Sequence, residues 1–376
     1  MTATGAEPPA PDVNAPATAG AASVAPAADP ISVPAPAAPV AAEEPLPKPA
    51  TWTVKAPEAP WCPDGRLDAI LARLEARVAA RFRDRVARTD VSRAEGNGVH
   101  LRTDAWSVTA AMRRGRRHAH TAAWSEDAWF ASLSPHRGVL VVADGAGSAA
   151  WSRLGSALAA DVAGEALITA DAVSADAMHD AVARAVHTLR AVAEAMDVAP
   201  RELRTTLLAV AWEPDGTRHR LVTTQVGDGS LVLAHADGTI NRPAAGDGGE
   251  WSGEVHCFVP DEETMTRARA ATVVHDVPDL AALLLVTDGI DDPCYPFPRF
   301  AGPILGQLLH GTAAPLTGLG VQANAPSVID AADPAAALHA WLGFEKRGEN
   351  DDRTLAVALH ASASHVIPPW APSTSA

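Results

Sequence analysis

Carboxylates recur in one kind of place along this chain: where an apolar run begins or ends, often beside glycine. Asp144 and Gly145 close "VLVVADGAGSA", Asp228 closes "LVTTQVGDG", Asp288 closes "LLLVTDG", and Asp351 and Asp352 precede "RTLAVAL". A further pair, Glu126 and Asp127, precedes "AWFASL". One Asp-Gly alone is ordinary turn chemistry, and Asp237-Gly238 in "AHADGTI" reads that way, as a hairpin between two runs. Acidic sites at the ends of five successive strands read differently. A strand fixes the Cα of its last residue, and glycine lets a carbonyl or a ligand come close. If these ends share one rim of a sheet, their carboxylates converge, and converged carboxylates repel one another unless a cation neutralises them. Carboxylate, carbonyl and water oxygens suit Mg2+ or Mn2+, whereas Zn2+ prefers His and Cys.

The elements that must position these residues are legible from periodicity. Strands are expected in "AWSVTAAM" near 105, "AWFASLS" near 128, "GVLVVADG" from 138, 205–213, 220–229, 230–238, 283–289 and 353–361. Ala-rich helices are expected at 151–168 and 174–197. The stretch 300–346 reads as partly helical, with an Asp cap before "PAAALHAWLGF". From Asp64, Leu67, Ile70, Leu71, Leu74, Val78 and Phe82 recur at helical spacing. Strands outnumber helices and follow one another directly, which argues for an α+β fold of antiparallel sheets carrying helices on their outer faces. No βαβ alternation and no G-x-G-x-x-G entering a helix is present, which argues against a dinucleotide fold.

Residues 1–60 are dominated by Ala and Pro and read as a disordered tail; 61–100 reads as an N-terminal helical segment. The main domain is expected over 101–362, with 300–346 its variable part, followed by a flexible tail at 363–376. The 376 residues are 47% hydrophobic, as expected of a globular protein. The apolar runs fall short of a membrane span and the N-terminus lacks a secretory pattern, so no membrane association and a cytoplasmic location are expected. The formal charge of −15 argues against phosphate-neutralising nucleic-acid binding. Cys62, Cys257 and Cys294 are too scattered for a disulfide framework. Cys294 and Arg299 stand at C-x4-R spacing without glycines to offer amides, a poor thiolate loop. His118-x-His120 has strand spacing for a metal pair, but no third His or Cys stands nearby.

The order "SEDAWF", "VVADGAGSA", "RTTLLAV", "QVGDGSLVL", "LLVTDGIDD", "NDDRTLAV" resembles the metal-dependent protein phosphatase family of the 2C type, over about residues 100–362. "DGAGSA", with Gly115 and His118 upstream and "GEWSGEVHCF" at 249–258, is similar to a bacterial branch of it. The resemblance implies two mainly antiparallel sheets packed as a sandwich flanked by helices, in four αββα layers. It implies two Mg2+ or Mn2+ ions that activate water for phosphomonoester hydrolysis, with a third ion in some members. By that resemblance Asp144 bridges two ions, the Gly145 carbonyl and Glu126 bind one of them, and Asp127 orients water. Asp288 and Asp351 complete the other site, and Asp228 matches the third. The implied partners are a phosphorylated protein substrate and a Ser/Thr kinase.

Two departures bear on mechanism. Ala122 stands where many members carry a phosphate-gripping Arg, leaving Arg113, Arg114, Arg116, Arg117 and His118 as nearby sources of positive charge or as a solvated basic strand end. Ala146 replaces the His proposed elsewhere as a general acid, leaving His118 or His120 to protonate the leaving group, or the metals alone to suffice. Trp251 is a candidate cleft residue. The missing Arg and the long tail also motivate an alternative, a catalytically weak phosphatase-like regulatory module, and phosphatase chemistry on a small molecule is a third reading.

Overall fold

The computed structural model describes residues 53–59, 61, 85–91, 93–215, 218–243, 255, 257–311 and 326–369. The periodic stretch from Asp64 to Phe82, most of the Pro/Ala tail, Cys62 and Trp251 lie outside the described residues.

The strands are β1 (Val86–Arg88), β2 (Gly98–Arg102), β3 (Trp106–Arg113), β4 (Asp127–Leu133), β5 (Gly138–Asp144), β6 (Leu207–Asp215), β7 (Arg218–Val226), β8 (Ser230–His235), β9 (Ile240–Asn241), β10 (Val273–Val277), β11 (Leu280–Val286) and β12 (Arg353–His360). They form two six-stranded sheets, in the orders β1-β4-β5-β6-β7-β10 and β2-β3-β12-β11-β8-β9, with every pairing antiparallel. The helices are α1 (Arg116–Thr121), α2 (Ser152–Thr169), α3 (Ala175–Met196), α4 (Thr264–Ala271), α5 (Asp288–Asp291), α6 (Phe297–His310), α7 (Pro334–Trp341) and α8 (Ala363–Val366).

Alternation along each strand divides the apolar residues between two cores. On β5, Leu140 and Val142 face the opposite sheet, packing with Trp129, Trp212, Leu283 and Leu285. Val139, Val141 and Ala143 face outward against Leu158, Leu167 and Leu189 of α2 and α3. On β12 the same rule sends Ala356 and Ala358 inward and Leu355, Val357 and Leu359 outward, against α6 and α7. The result is the expected α+β sandwich with helices on both outer faces. Because nearly every residue of β4, β5, β11 and β12 is buried on either face, these central strands read in sequence as continuous apolar runs.

Three regions differ from the sequence expectation. Residues 85–102 hold the short strands β1 and β2, and β2 starts at Gly98, before the expected domain start; "VAR" and "GVHLR" are too short and polar to stand out. Residues 53–59, grouped with the tail by composition, lie along the domain. Lys55 N donates to Ala119 O at 2.9 Å, Glu58 N to Ala122 O at 3.2 Å, and Trp124 Nε1 to Ala59 O at 2.8 Å. At the other end, α8 and Ile367 pack on the second outer core, where His310 Nε2 donates to Ile367 O at 2.7 Å, so residues 363–367 are built into the domain. Among the described residues no helix is long and apolar enough to cross a membrane.

Candidate functional site

The acidic strand ends gather at one end of the sandwich. Asp144 closes β5, and its antiparallel partner in register is Asp127, the first residue of β4. Asp288 follows β11, and Asp351 and Asp352 stand just before β12, the strand paired with β11. Asp228 lies in the turn that carries the chain from β7 in one sheet to β8 in the other. That turn needs its glycines: Gly227 and Gly229 have φ of +87° and +84°, and Gln225 Nε2 donates to both of their carbonyls.

Threonines and a serine fix the backbone around these carboxylates. Thr206 N donates to Asp144 O at 2.7 Å while Asp144 N donates to Thr206 Oγ1 at 2.9 Å; Thr205 Oγ1 donates to Asp144 O at 2.8 Å. Gly145 N donates to Glu126 O at 3.0 Å, and Ser156 Oγ donates to the same carbonyl. Thr287 Oγ1 donates to Asp127 Oδ2 at 2.9 Å and accepts from Thr354 N at 3.1 Å, linking β4, β11 and β12. The "RTTLLAV" run pointed to the first pair; nothing about Thr287 in the sequence signals its part.

The electrostatics are those of carboxylates forced together. Burial holds the Asp144 carboxyl well above the usual range, and the charges of Asp288, Asp127 and Asp351 add to it. Burial likewise raises Asp127, reinforced by Asp352 and Asp288. Asp288 is pushed up to about 7 by burial and by the charges of Asp228, Asp351 and Asp292. Glu126 rises to about 7 and Asp228 to about 6, burial again leading and neighbouring aspartates adding. Asp351 is also raised, by burial and then by Asp352. Glu126, Asp127, Asp144, Asp228, Asp288 and Asp351 therefore act on one another as a single cluster, with the Gly145 carbonyl beside them.

Asp352 behaves in the opposite way, and sequence reasoning gave it no role. It is buried, with 2% of its surface exposed, yet its carboxyl is held below the usual range: burial is outweighed by His118 and by two backbone amides. Gly115 N donates to Oδ1 at 2.5 Å, Glu126 N to Oδ2 at 2.6 Å, and His118 Nδ1 to Oδ2 at 2.9 Å. Burial alone would lower the His118 imidazole, but the hydrogen bond and charge of Asp352, with Glu126 and Asp351, raise it to about 9. Its Nε2 lies 3.8 Å from Glu126 Oε2. His118, Asp351 and Asp352 present ligand atoms within 4.8 Å of one another. Both Asp352 oxygens are already engaged, so that carboxylate serves as an anchor for the loop carrying Glu126.

The basic run differs from the strand expected there. After Arg113 ends β3, Arg116–Thr121 forms α1, so His118 and His120 do not share a strand face. Ala122, where an Arg was sought, is buried and takes the left-handed conformation that ends α1, with φ of +58°. Cys294 is buried and its thiol is pushed up to about 12 by burial, which disposes of the C-x4-R thiolate reading.

The donor set can be tested for metal. Asp127 Oδ1 and Asp288 Oδ1 are buried and make no hydrogen bond among the described residues. Buried orphan carboxylate oxygens are costly, and two of them within a set of oxygen donors match hard divalent cations.

The model of the protein phosphatase 2C family matches residues 114–314, more than half of the chain. Serine/threonine-protein phosphatase 3 of Escherichia coli (strain K12) is 30% identical over 196 residues, covering 49% of this chain and 74% of that protein. Among solved structures, RsbX in complex with magnesium is similar at 12% identity and a TM-score of 0.43, over 70% of this chain and 100% of that one. The Mycobacterium tuberculosis serine/threonine phosphatase PstP/Ppp is similar at 15% identity and a TM-score of 0.43, over 68% of this chain and 98% of that one. Four of the five acidic strand ends lie inside the span matched by the family model, and on that match and the Escherichia coli relative, the chain belongs to the protein phosphatase 2C family.

Proposed function

We propose that the protein is a metal-dependent Ser/Thr phosphoprotein phosphatase whose reaction takes place at the carboxylate cluster. The observation that carries this reading is the set of clustered carboxylates that burial and mutual repulsion raise, two of which, Asp127 and Asp288, each carry a buried oxygen with no hydrogen-bond partner among the described residues. Glu126, Asp144 and the Gly145 carbonyl would hold one Mg2+ or Mn2+, and Asp144, Asp288 and Asp351 a second; Asp228, beside Asp291 and Asp292, would help hold a third. Bound divalent ions supply the charge that acidifies water and offsets the phosphoryl oxygens.

The remaining chemistry falls to the chain. Thr287 fixes Asp127 through Oδ2, so its free Oδ1 is placed to accept a hydrogen bond from an attacking water and orient it. His118, with Nδ1 committed to Asp352, carries its second proton on Nε2 at the edge of the cluster. That is the proton we assign to the departing serine or threonine oxygen. The substrate class is a phosphorylated protein, and a Ser/Thr kinase partner remains part of this proposal.

Hydrolysis of a phosphoserine peptide and of p-nitrophenyl phosphate with Mn2+ tests the reading. Asp144→Ala and Asp288→Ala are expected to lose at least about 1,000-fold in kcat, on the scale of removing a group that acts as part of a unit. Equal activity in wild type and both variants would refute it. Metal binding by a wild type that turns over neither substrate would favour the regulatory module.

A further inference from the structure

The stretch from Gly115 to Glu126 carries both His118 and Glu126, and it cannot support itself. α1 is six residues long without a side-chain cap, and it ends at Ala122 with φ of +58°, a conformation unfavourable for a residue other than glycine. From the inner side Asp352 holds this stretch through Gly115 N, His118 Nδ1 and Glu126 N. An ionised carboxylate only accepts, so it cannot serve carbonyls. The carbonyls in the last turn of a helix have no partner within that helix.

Those carbonyls are served from the outer side. Lys55 N donates to Ala119 O at 2.9 Å, Glu58 N to Ala122 O at 3.2 Å, and Arg114 Nη1 to Ala123 O at 2.9 Å. The Arg114 side chain is wholly buried; its Nη2 donates to Lys55 O at 2.7 Å and pairs with Glu95. A buried guanidinium is costly unless its donors are used, and here they join the N-terminal segment to the Glu126 loop. Trp124 Nε1 donates to Ala59 O at 2.8 Å, and Arg153 Nε, from α2, donates to Trp61 O at 2.9 Å. Trp61, Trp124, Ser125 and Arg153 line a crevice that reaches Asp127. The Glu126 loop is thus gripped on one side by Asp352 and on the other by residues 53–59.

We infer that residues 53–59, latched by Arg114 and Trp124, are a positioning element of the metal site, holding the 115–126 stretch so that Glu126 faces the other carboxylates. The inference rests on the proposed metal-dependent reading of that cluster. It is tested on the full chain by Mn2+ titration calorimetry, beside amide hydrogen exchange of the metal-free protein. Lys55 and Glu58 are exposed, so Lys55→Pro with Glu58→Pro removes their two backbone donors and leaves the core untouched. The double variant is expected to bind Mn2+ about 10-fold more weakly, as when a group supporting a metal ligand is lost. Its amides at 116–126 should exchange faster, while those of β5 and β11 keep their protection. Ala56→Pro alters the same segment at an N–H that donates to nothing among the described residues, and should bind Mn2+ like the wild type. Arg114→Lys keeps a cation but loses the planar fork that reaches both carbonyls, and should weaken Mn2+ binding as the double variant does.

Wild-type Mn2+ affinity in the double variant overturns the inference, even where exchange at 116–126 is faster. Lost protection throughout β5 and β11 overturns it too, since residues 53–59 would then be a general stabiliser. A wild type that binds Mn2+ but hydrolyses neither phosphoserine peptide nor p-nitrophenyl phosphate, with weakened Mn2+ binding in the double variant, sinks the phosphatase reading and leaves the latch standing.

Discussion

At the scale of single residues, His118 and Asp352 divide the chemistry with the metal-seeking carboxylates. Asp352 is the aspartate of the group that stays ionised under burial, because three donors hold it. It fixes the Glu126 loop and turns His118 so that Nε2 faces the cluster. If His118 delivers the leaving-group proton, its removal matters most where the leaving group is a poor one. His118→Ala is expected to lower kcat on a phosphoserine peptide by about 100-fold and on p-nitrophenyl phosphate by less than about 5-fold. Equal losses on the two substrates would leave His118 a purely structural partner of Asp352. The acidic motifs were legible because Asp beside Gly at a strand end is a recognisable pattern. Asp352 was not, because the same two letters, Asp-Asp, hold one exposed rim carboxylate and one buried anchor, and only burial tells them apart.

At the scale of elements, the site depends on how closely β12 approaches its neighbours. Gly289, in the first turn of α5, lies against the backbone of Asp352: a Cβ there would stand 1.8 Å from Asp352 O and 3.0 Å from its carbonyl carbon. Gly289→Ala must therefore push the Asp351–Asp352 segment away. It is expected to cost about 1–3 kcal/mol of stability, seen in thermal melts, and to weaken Mn2+ binding by at least about 10-fold because Asp351 and the Asp352 anchor move together. Unchanged Mn2+ affinity in a folded Gly289→Ala protein would contradict the assignment of Asp351 to the metal-binding set. The long strands were readable as sustained apolar runs and α3 from its helical apolar period, whereas α2, buried nearly all round, was readable only from its length and Ala-rich composition. The six-residue α1 was not, since "RRHAHT" has no apolar face and Gly115 precedes it without a side-chain cap. The lie of residues 53–59 along α1 was equally hidden, because it rests on backbone hydrogen bonds that any sequence can make.

Over the whole molecule, the sandwich carries oppositely responding groups at its two ends. At the site end, the metal-free cluster holds Glu126 and Asp288 at about 7 and Asp228 at about 6, with Asp127 and Asp144 also raised, and His118 at about 9. A raised folded-state value means stability that is complete below the unfolded value and is lost as pH rises through the folded one. At the far end, His219 and His360 pack against Trp106, and burial holds both imidazoles below their ordinary value. Their contribution is present at neutral pH and is lost as pH falls below about 6.5. With five raised carboxylates and His118 set against two lowered imidazoles, the metal-free protein is expected to lose stability as pH rises, with a melting temperature lower by roughly 5 °C at pH 8.5 than at pH 6.5. Mn2+ should flatten the alkaline limb, and an EDTA-treated protein that gains stability from pH 6.5 to 8.5 would contradict this account. The layering of the sandwich was accessible from sequence because two apolar faces on one strand demand two cores; the convergence of five strand ends at one rim was not, as the strands come from both sheets. That convergence is the central claim, and Mn2+ titration calorimetry on the full chain, wild type beside Asp144→Asn, tests it most directly. The prediction is saturable binding of about two Mn2+ per wild-type chain, with tight binding abolished in Asp144→Asn; no saturable binding, or the same isotherm in both proteins, would contradict it.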